Sequence, residues 1–222
     1  MTIRSRFALR VGLVALALTL AAPGASAQLV LDQENDAFAA PSPSGELGGP
    51  AIDSFQTPLQ TFTVGVGGLL AEVEVQAQKS DAPSTPDGDL VLTILGTTGG
   101  VPDFAQDMGS ANLPAASIPD FSSFASAPFA VFDVTGLGIN VAPGDVLAIA
   151  LSYPVGAGSY FIFDSEVDSY AGGTSFVSNL ALNSFFTTSP RDLGFRTRVL
   201  VPEPASAALL GLGSLLVARR RR

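Results

Sequence analysis

The sequence predicts an all-β protein, an antiparallel sandwich of short strands, and three observations lead there. Residues 71–78 alternate apolar and polar without a break, the period-two signature of a strand with one buried and one wet face. Turn chemistry recurs between apolar segments at Pro86-Asp87-Gly88-Asp89, Gly99-Gly100, Pro143-Gly144-Asp145, Gly156-Ala157-Gly158 and Gly172-Gly173. Fifteen phenylalanines with 23 glycines, 16 prolines and a single lysine suit frequent turns and are unlike a helical bundle.

The first element is not part of that domain. Arg4, Arg6 and Arg10 precede an apolar run from Val11 to Ala22, and Ala25-Ser26-Ala27 closes the segment. A basic start, a greasy stretch and small residues at Ala25 and Ala27 read as a signal peptide over 1–27, cut after Ala27 by signal peptidase. The run is short of the roughly 20 residues a spanning helix needs, although an uncleaved anchor is the competing reading.

The body, residues 28–200, supplies the strands. Ala71, Val73, Val75 and Ala77 form the apolar row of one, with Glu72, Glu74, Gln76 and Gln78 expected in solvent. Leu147, Ile149 and Leu151 form the bulkier row of another over 146–151. Leu193, Phe195, Thr197 and Val199 alternate with Gly194, Arg196 and Arg198 in the last. Further strands are expected at 59–66, 90–95, 129–134 and 160–164. Seven or more such strands read as two packed antiparallel sheets, jelly-roll-like rather than a closed barrel. No internal repeat of solenoid or propeller type is visible. If the strands bearing Glu72 and Glu74 and bearing Arg196 and Arg198 are neighbours, their charges match across the sheet.

Charge excludes several partners. Removing the terminal segments leaves residues 28–201 with four basic and nineteen acidic groups, a net charge of −15. Such a body repels phosphate backbones, so nucleic acid is not expected as a partner. The chain has no histidine and no cysteine, which rules out disulfides, His- or Cys-based zinc sites and Ser–His or Cys–His catalytic pairs. No Gly-x-Ser-x-Gly or Ser-x-x-Lys pattern occurs. No catalytic residue is nominated, no cofactor is expected, and the domain reads as non-catalytic.

Two candidate sites remain. Asp164, Glu166 and Asp168 alternate as an acidic triplet, and Asp32, Glu34, Asn35 and Asp36 form a second oxygen-rich cluster. Calcium takes six to eight oxygen ligands, so the triplet is the candidate for a structural calcium, with solvated acids as the plainer reading. Tyr153, Tyr160 and Tyr170 are the only amphipathic rings, since tryptophan is absent. Tyr160 and Tyr170 are the candidate glycan contacts, against the reading that both pack at strand edges.

The last element, residues 201–222, carries the most specific signal. Val201, Pro202, Glu203 and Pro204 stand where two prolines stop any regular element. Residues 205–218 are uncharged and mostly apolar, and Arg219, Arg220, Arg221 and Arg222 end the chain. A 14-residue helix spans about 21 Å, short of a hydrocarbon core of roughly 30 Å, with snorkelling arginines covering part of the mismatch. The basic cluster stays cytoplasmic and the domain faces outward.

This tail resembles the PEP-CTERM sorting signal of Gram-negative bacteria: motif, short glycine-containing apolar helix and arginine cluster occur in order. The same kind of tail also carries the label ice-binding-protein C-terminal domain, yet no regular threonine array suited to ice is visible. The resemblance implies recognition by an exosortase-type membrane protease, removal of the tail, and transfer to the cell surface or extracellular matrix. More loosely, four segments of the body resemble a galactose-binding-type jelly roll of bacterial surface proteins. They are Gln60-Thr61-Phe62-Thr63, Gly88-Asp89-Leu90, Asp168-Ser169-Tyr170-Ala171-Gly172-Gly173 and Asp192-Leu193-Gly194-Phe195-Arg196-Thr197. That likeness implies display or weak glycan contact. The expected function is a structural or adhesive role within an exopolysaccharide layer. A weak carbohydrate-binding module is the rival, and a secreted hydrolase the distant third.

Overall fold

The computed structural model describes residues 27–38, 51–52, 56–80, 86–122, 126–153, 158–165, 167–179, 184–187 and 191–203. The expected signal helix and carboxy-terminal helix lie outside them. By contacts the chain divides into Leu29–Val201 and a unit formed by Met1–Gln28 with Pro202–Arg222.

In chain order the strands are β1 (Ala27–Asn35), β2 (Ala51–Ile52), β3 (Gln56–Thr63), β4 (Gly68–Lys79), β5 (Leu90–Thr98), β6 (Val101–Leu113), β7 (Phe129–Asp133) and β8 (Asn140–Val141). β9 (Val146–Ser152), β10 (Tyr160–Ile162), β11 (Asp164–Ser165), β12 (Ser175–Asn179), β13 (Ser184–Thr187), β14 (Asp192–Leu193) and β15 (Phe195–Pro202) complete the series. Helical structure among the described residues is confined to two single 3₁₀ turns, Ala115–Ser117 and Thr135–Leu137.

One sheet runs β1-β15-β4-β10-β2, with β7 and β8 also paired to β4. The other runs β13-β12-β3-β9-β5-β6, and β11 pairs with β14 in a small third sheet. The pairings among β2 to β15 are antiparallel. The chain changes sheet repeatedly: β3 to β4, β4 to β5, β6 to β7 and β8 to β9 each cross over.

One apolar core joins the two large sheets. Val73, Val75, Ala77, Phe132, Ile162 and Phe195 come from the first, and Phe62, Leu92, Ile94, Ile149 and Leu151 from the second, all at most 1 % exposed. These are the rows the alternation predicts, since every second side chain of a strand faces one side. A bulge opposite Arg198–Val199 shifts the register so that Leu70 rather than Ala71 pairs with Val199.

Two results depart from expectation. The polar row of β4 is not wet: Glu74, Gln76 and Gln78 are buried at 6, 2 and 1 % exposure. Loops fold over that face and the glutamines hold them. Gln76 accepts from Ala37 N at 2.9 Å and donates to Asp36 Oδ1 at 2.9 Å, while Gln78 donates to Ser122 Oγ at 3.2 Å. A small second core of Ala37, Ala127 and Phe163 forms there. Conversely, β6 has no alternation to betray it. It is a sheet edge, where Pro102 is tolerated, and Gly109 sits at φ +127° beside a register shift. The Gly99-Gly100 turn feeding it has φ of 62° and 82°, the left-handed pair a tight hairpin requires.

Candidate functional site

The sorting motif opens on a paired strand. β1 and β15 are neighbours, and their contacts run in antiparallel order. Arg196 Nε donates to Glu34 Oε1 at 2.7 Å and Gln33 N to Thr197 Oγ1 at 3.2 Å, and just before β15 the O of Leu193 on β14 accepts from Asn35 Nδ2 at 2.7 Å. The start of β1 therefore lies at the end of the pair where β15 finishes. Ala27 opens β1 and is exposed; Pro202 closes β15 and is exposed, with Glu203 exposed just beyond. Val201 is half-buried and packs on the main core. Ala25, Pro204 and Arg219 to Arg222 lie outside the described residues. The last strand thus runs into the motif, ending at its first proline.

That strand pair is locked by charge. Arg196 stands opposite Glu74 and Arg198 opposite Glu72, as the alternation anticipates. The shortest contact is diagonal, Arg198 Nε to Glu74 Oε1 at 2.6 Å, with Glu72 at 3.6 Å. Diagonal cross-strand partners are within reach of long side chains. Arg196 reaches the other way to Glu34 on β1 at 2.6 Å and sits 3.8 Å above the Phe129 ring on β7. One ladder of five charges thus ties β1, β15 and β4 together. The Glu74 carboxylate bonded to it holds the Arg198 guanidinium above its usual pKa.

A buried polar cluster lies next to the ladder. Asp192, 2 % exposed, accepts from Gln60 Nε2 at 3.1 Å, Ser169 N at 2.9 Å and Tyr170 N at 3.0 Å. Gln60 Oε1 in turn accepts from Leu193 N at 2.9 Å. Burial pushes the Asp192 carboxyl up, opposed by the hydrogen bonds from Tyr170, Gln60 and Ser169. Three of the four short segments singled out in the sequence converge here: 60–63, 168–173 and 192–197. Gly173 is part of the same junction, because a Cβ there would run into the Thr61 carbonyl oxygen. These segments share a structural junction, a reason for their residue types that spacing alone does not reveal.

The two tyrosines proposed for glycan contact are in the core, which corrects that expectation. Tyr160 is 0 % and Tyr170 7 % exposed, so neither offers a face for a sugar to stack on. Tyr160 packs edge-on to Tyr153 at 5.3 Å and donates to Gly88 O at 2.6 Å. Tyr170 packs edge-on to Phe195 at 5.0 Å and donates to Gln33 Oε1 at 2.8 Å. Burial pushes both hydroxyls up to about 12.

The acidic triplet is divided between environments. Asp164 is buried beside Arg191 at 3.4 Å, Asp168 is exposed, and Glu166 lies outside the described residues. Among the described residues no three carboxylates gather into a metal site. The acids of the second cluster serve the fold: Asp32 Oδ1 accepts from Gly65 N and Val66 N at 2.8 and 2.6 Å, and Asp36 from Phe38 N at 3.0 Å.

Residues 200–222 match the family model of the PEP-CTERM protein-sorting motif. No curated protein matches the chain. The chain carries the PEP-CTERM signal: it is an exported protein, associated with the membrane before sorting and processed by an exosortase. Among the described residues no helix is long and apolar enough to cross a membrane.

Proposed function

We propose that the β domain is a non-catalytic module displayed at the cell surface or in the extracellular matrix, where it is structural or adhesive within an exopolysaccharide layer. A signal peptide cut after Ala27 starts the export. An apolar helix over 205–218, flanked by Arg219 to Arg222, holds the tail in the membrane. One observation carries the reading: the sorting motif continues directly from β15, so the domain delivered by the tail is this β domain and nothing separates them. Composition supports the non-catalytic part, because without histidine or cysteine the commonest nucleophile–base pairs cannot be assembled. The −15 charge of residues 28–201 suits a hydrated, mutually repelling coat. The repeated crossing between sheets supports a jelly-roll-like description of the sandwich.

Fractionation of the native host tests this. Wild-type chain is expected at the surface or in the matrix without its tail, and released to the medium when exopolysaccharide synthesis is blocked. The Glu203→Ala variant is expected to stay in the membrane at the larger size. Full-length wild-type chain in the cytosol would overturn the reading.

A further inference from the structure

We infer that the mature amino terminus is a modification site: once the chain is cut after Ala27, Gln28 cyclises to pyroglutamate. This rests on the cleavage position proposed above. The structure adds where that terminus stands. β1 already begins at Ala27, and Ala27, Gln28 and Leu29 are all exposed. Among the described residues β1 is an edge strand with β15 as its one neighbour, and its first residues are exposed. Three internal glutamines differ sharply, while Gln106 is exposed but internal and hydrogen-bonded to Thr98 and Asp103. Gln60, Gln76 and Gln78 are buried with their carboxamides committed to Asp192, Asp36 and Ser122. Gln28 becomes the one glutamine that is both exposed and terminal.

The chemistry needs no partner. An α-amine has a pKa of about 8, so a nucleophilic fraction exists at neutral pH. The α-nitrogen of Gln28 attacks its own side-chain carbonyl carbon, Cδ. The N–Cδ bond closes a five-membered lactam, the Cδ–Nε2 bond breaks, and the departing nitrogen takes the proton to leave as ammonia. Nothing is oxidised or reduced.

The electrostatic consequence is measurable because cations are scarce. Lys79, Arg191, Arg196 and Arg198 are the only basic side chains in residues 28–201, and the terminal ammonium would be the fifth positive group. Cyclisation removes it, leaving a neutral end that aminopeptidases do not engage. The protected strand is the one supplying Glu34 to Arg196 and Asn35 to Leu193.

The test is peptide mass spectrometry of the protein isolated from the native envelope or matrix, with amines labelled before digestion. The expected terminal peptide begins at residue 28, is lighter by one ammonia and takes no label. A Gln28→Ala variant should be cut at the same bond and take the label. A wild-type peptide that begins at Gln28 and is labelled overturns the inference and leaves the cleavage position standing. A peptide that begins elsewhere overturns the cleavage position and the inference with it.

Discussion

Replacing Asp192 by alanine probes the junction of three chain segments most directly. The carboxylate accepts three hydrogen bonds. Gln60 Nε2 keeps a second acceptor, Thr61 O at 3.1 Å, so its loss is small. Ser169 N is only partly buried and can recruit water, whereas Tyr170 N is buried and would be left without a partner. A buried orphan donor costs about 1–3 kcal/mol and a lost hydrogen bond about 1 kcal/mol, partly offset by no longer burying a charge, so we expect a loss of about 2 kcal/mol. For a chain of this length that corresponds to a fall of about 4–8 °C in Tm. Burial raises the folded pKa of Asp192 above its ordinary value, so the folded state binds its proton more readily than the unfolded state. This group therefore favours the fold more as pH falls through its folded pKa, and less as pH rises through it. Urea unfolding of wild type and Asp192→Ala at neutral and mildly acidic pH reads both effects, with a larger gap between the two proteins at the acidic pH. A loss under about 0.5 kcal/mol at both pH values would refute the reasoning.

Three further outcomes follow from the same geometry. Glu74→Gln and Arg198→Met should each cost about 1 kcal/mol, the double variant less than their sum, and added salt should shrink the coupling; strict additivity would mean that the ladder is not a unit. Phenolate absorbance should show Tyr160 and Tyr170 titrating near 12, and stability should fall as pH rises from about 10 to about 12, because the unfolded tyrosines ionise first; three tyrosines titrating near 10 in the folded protein would contradict their burial. Gly173→Ala should cost about 2–3 kcal/mol by collision with the Thr61 backbone, while Gly136→Ala, with open space around it, should stay within about 0.5 kcal/mol in thermal melts.

The core strands were readable because each carries a property that repeats along its own residues. β4, β9 and β15 alternate, and a period of two picks out the row that faces the main core, though it does not reveal that the other row of β4 and of β9 is covered too. β1, β6, β12 and β13, with the two-residue strands β2 and β8, lie outside the expected segments. β6 is an edge strand carrying Pro102, Asp103, Asp107 and Gly109, and its regularity comes from pairing with β5 rather than from its own composition. The tyrosines show the same limit from another side. A phenol looks alike in sequence whether its ring is exposed or packed, and only the neighbours Tyr153 and Phe195 put these two inside.

Local, contiguous patterns need no folding to be read: the Pro202-Glu203-Pro204 element with its arginine-ended tail and the histidine-free acidic middle are written in residues adjacent in the chain. Tertiary structure alone decided which distant residues meet. It set Glu34 and Glu74 on Arg196, gathered Gln60, Tyr170 and Asp192 into one buried cluster, and seated the opening of the sorting motif on a strand held between β1 and β4. The physical reason is that a contact between residues more than a hundred positions apart depends on strand order and register, which are properties of the assembled sheets and of no single segment.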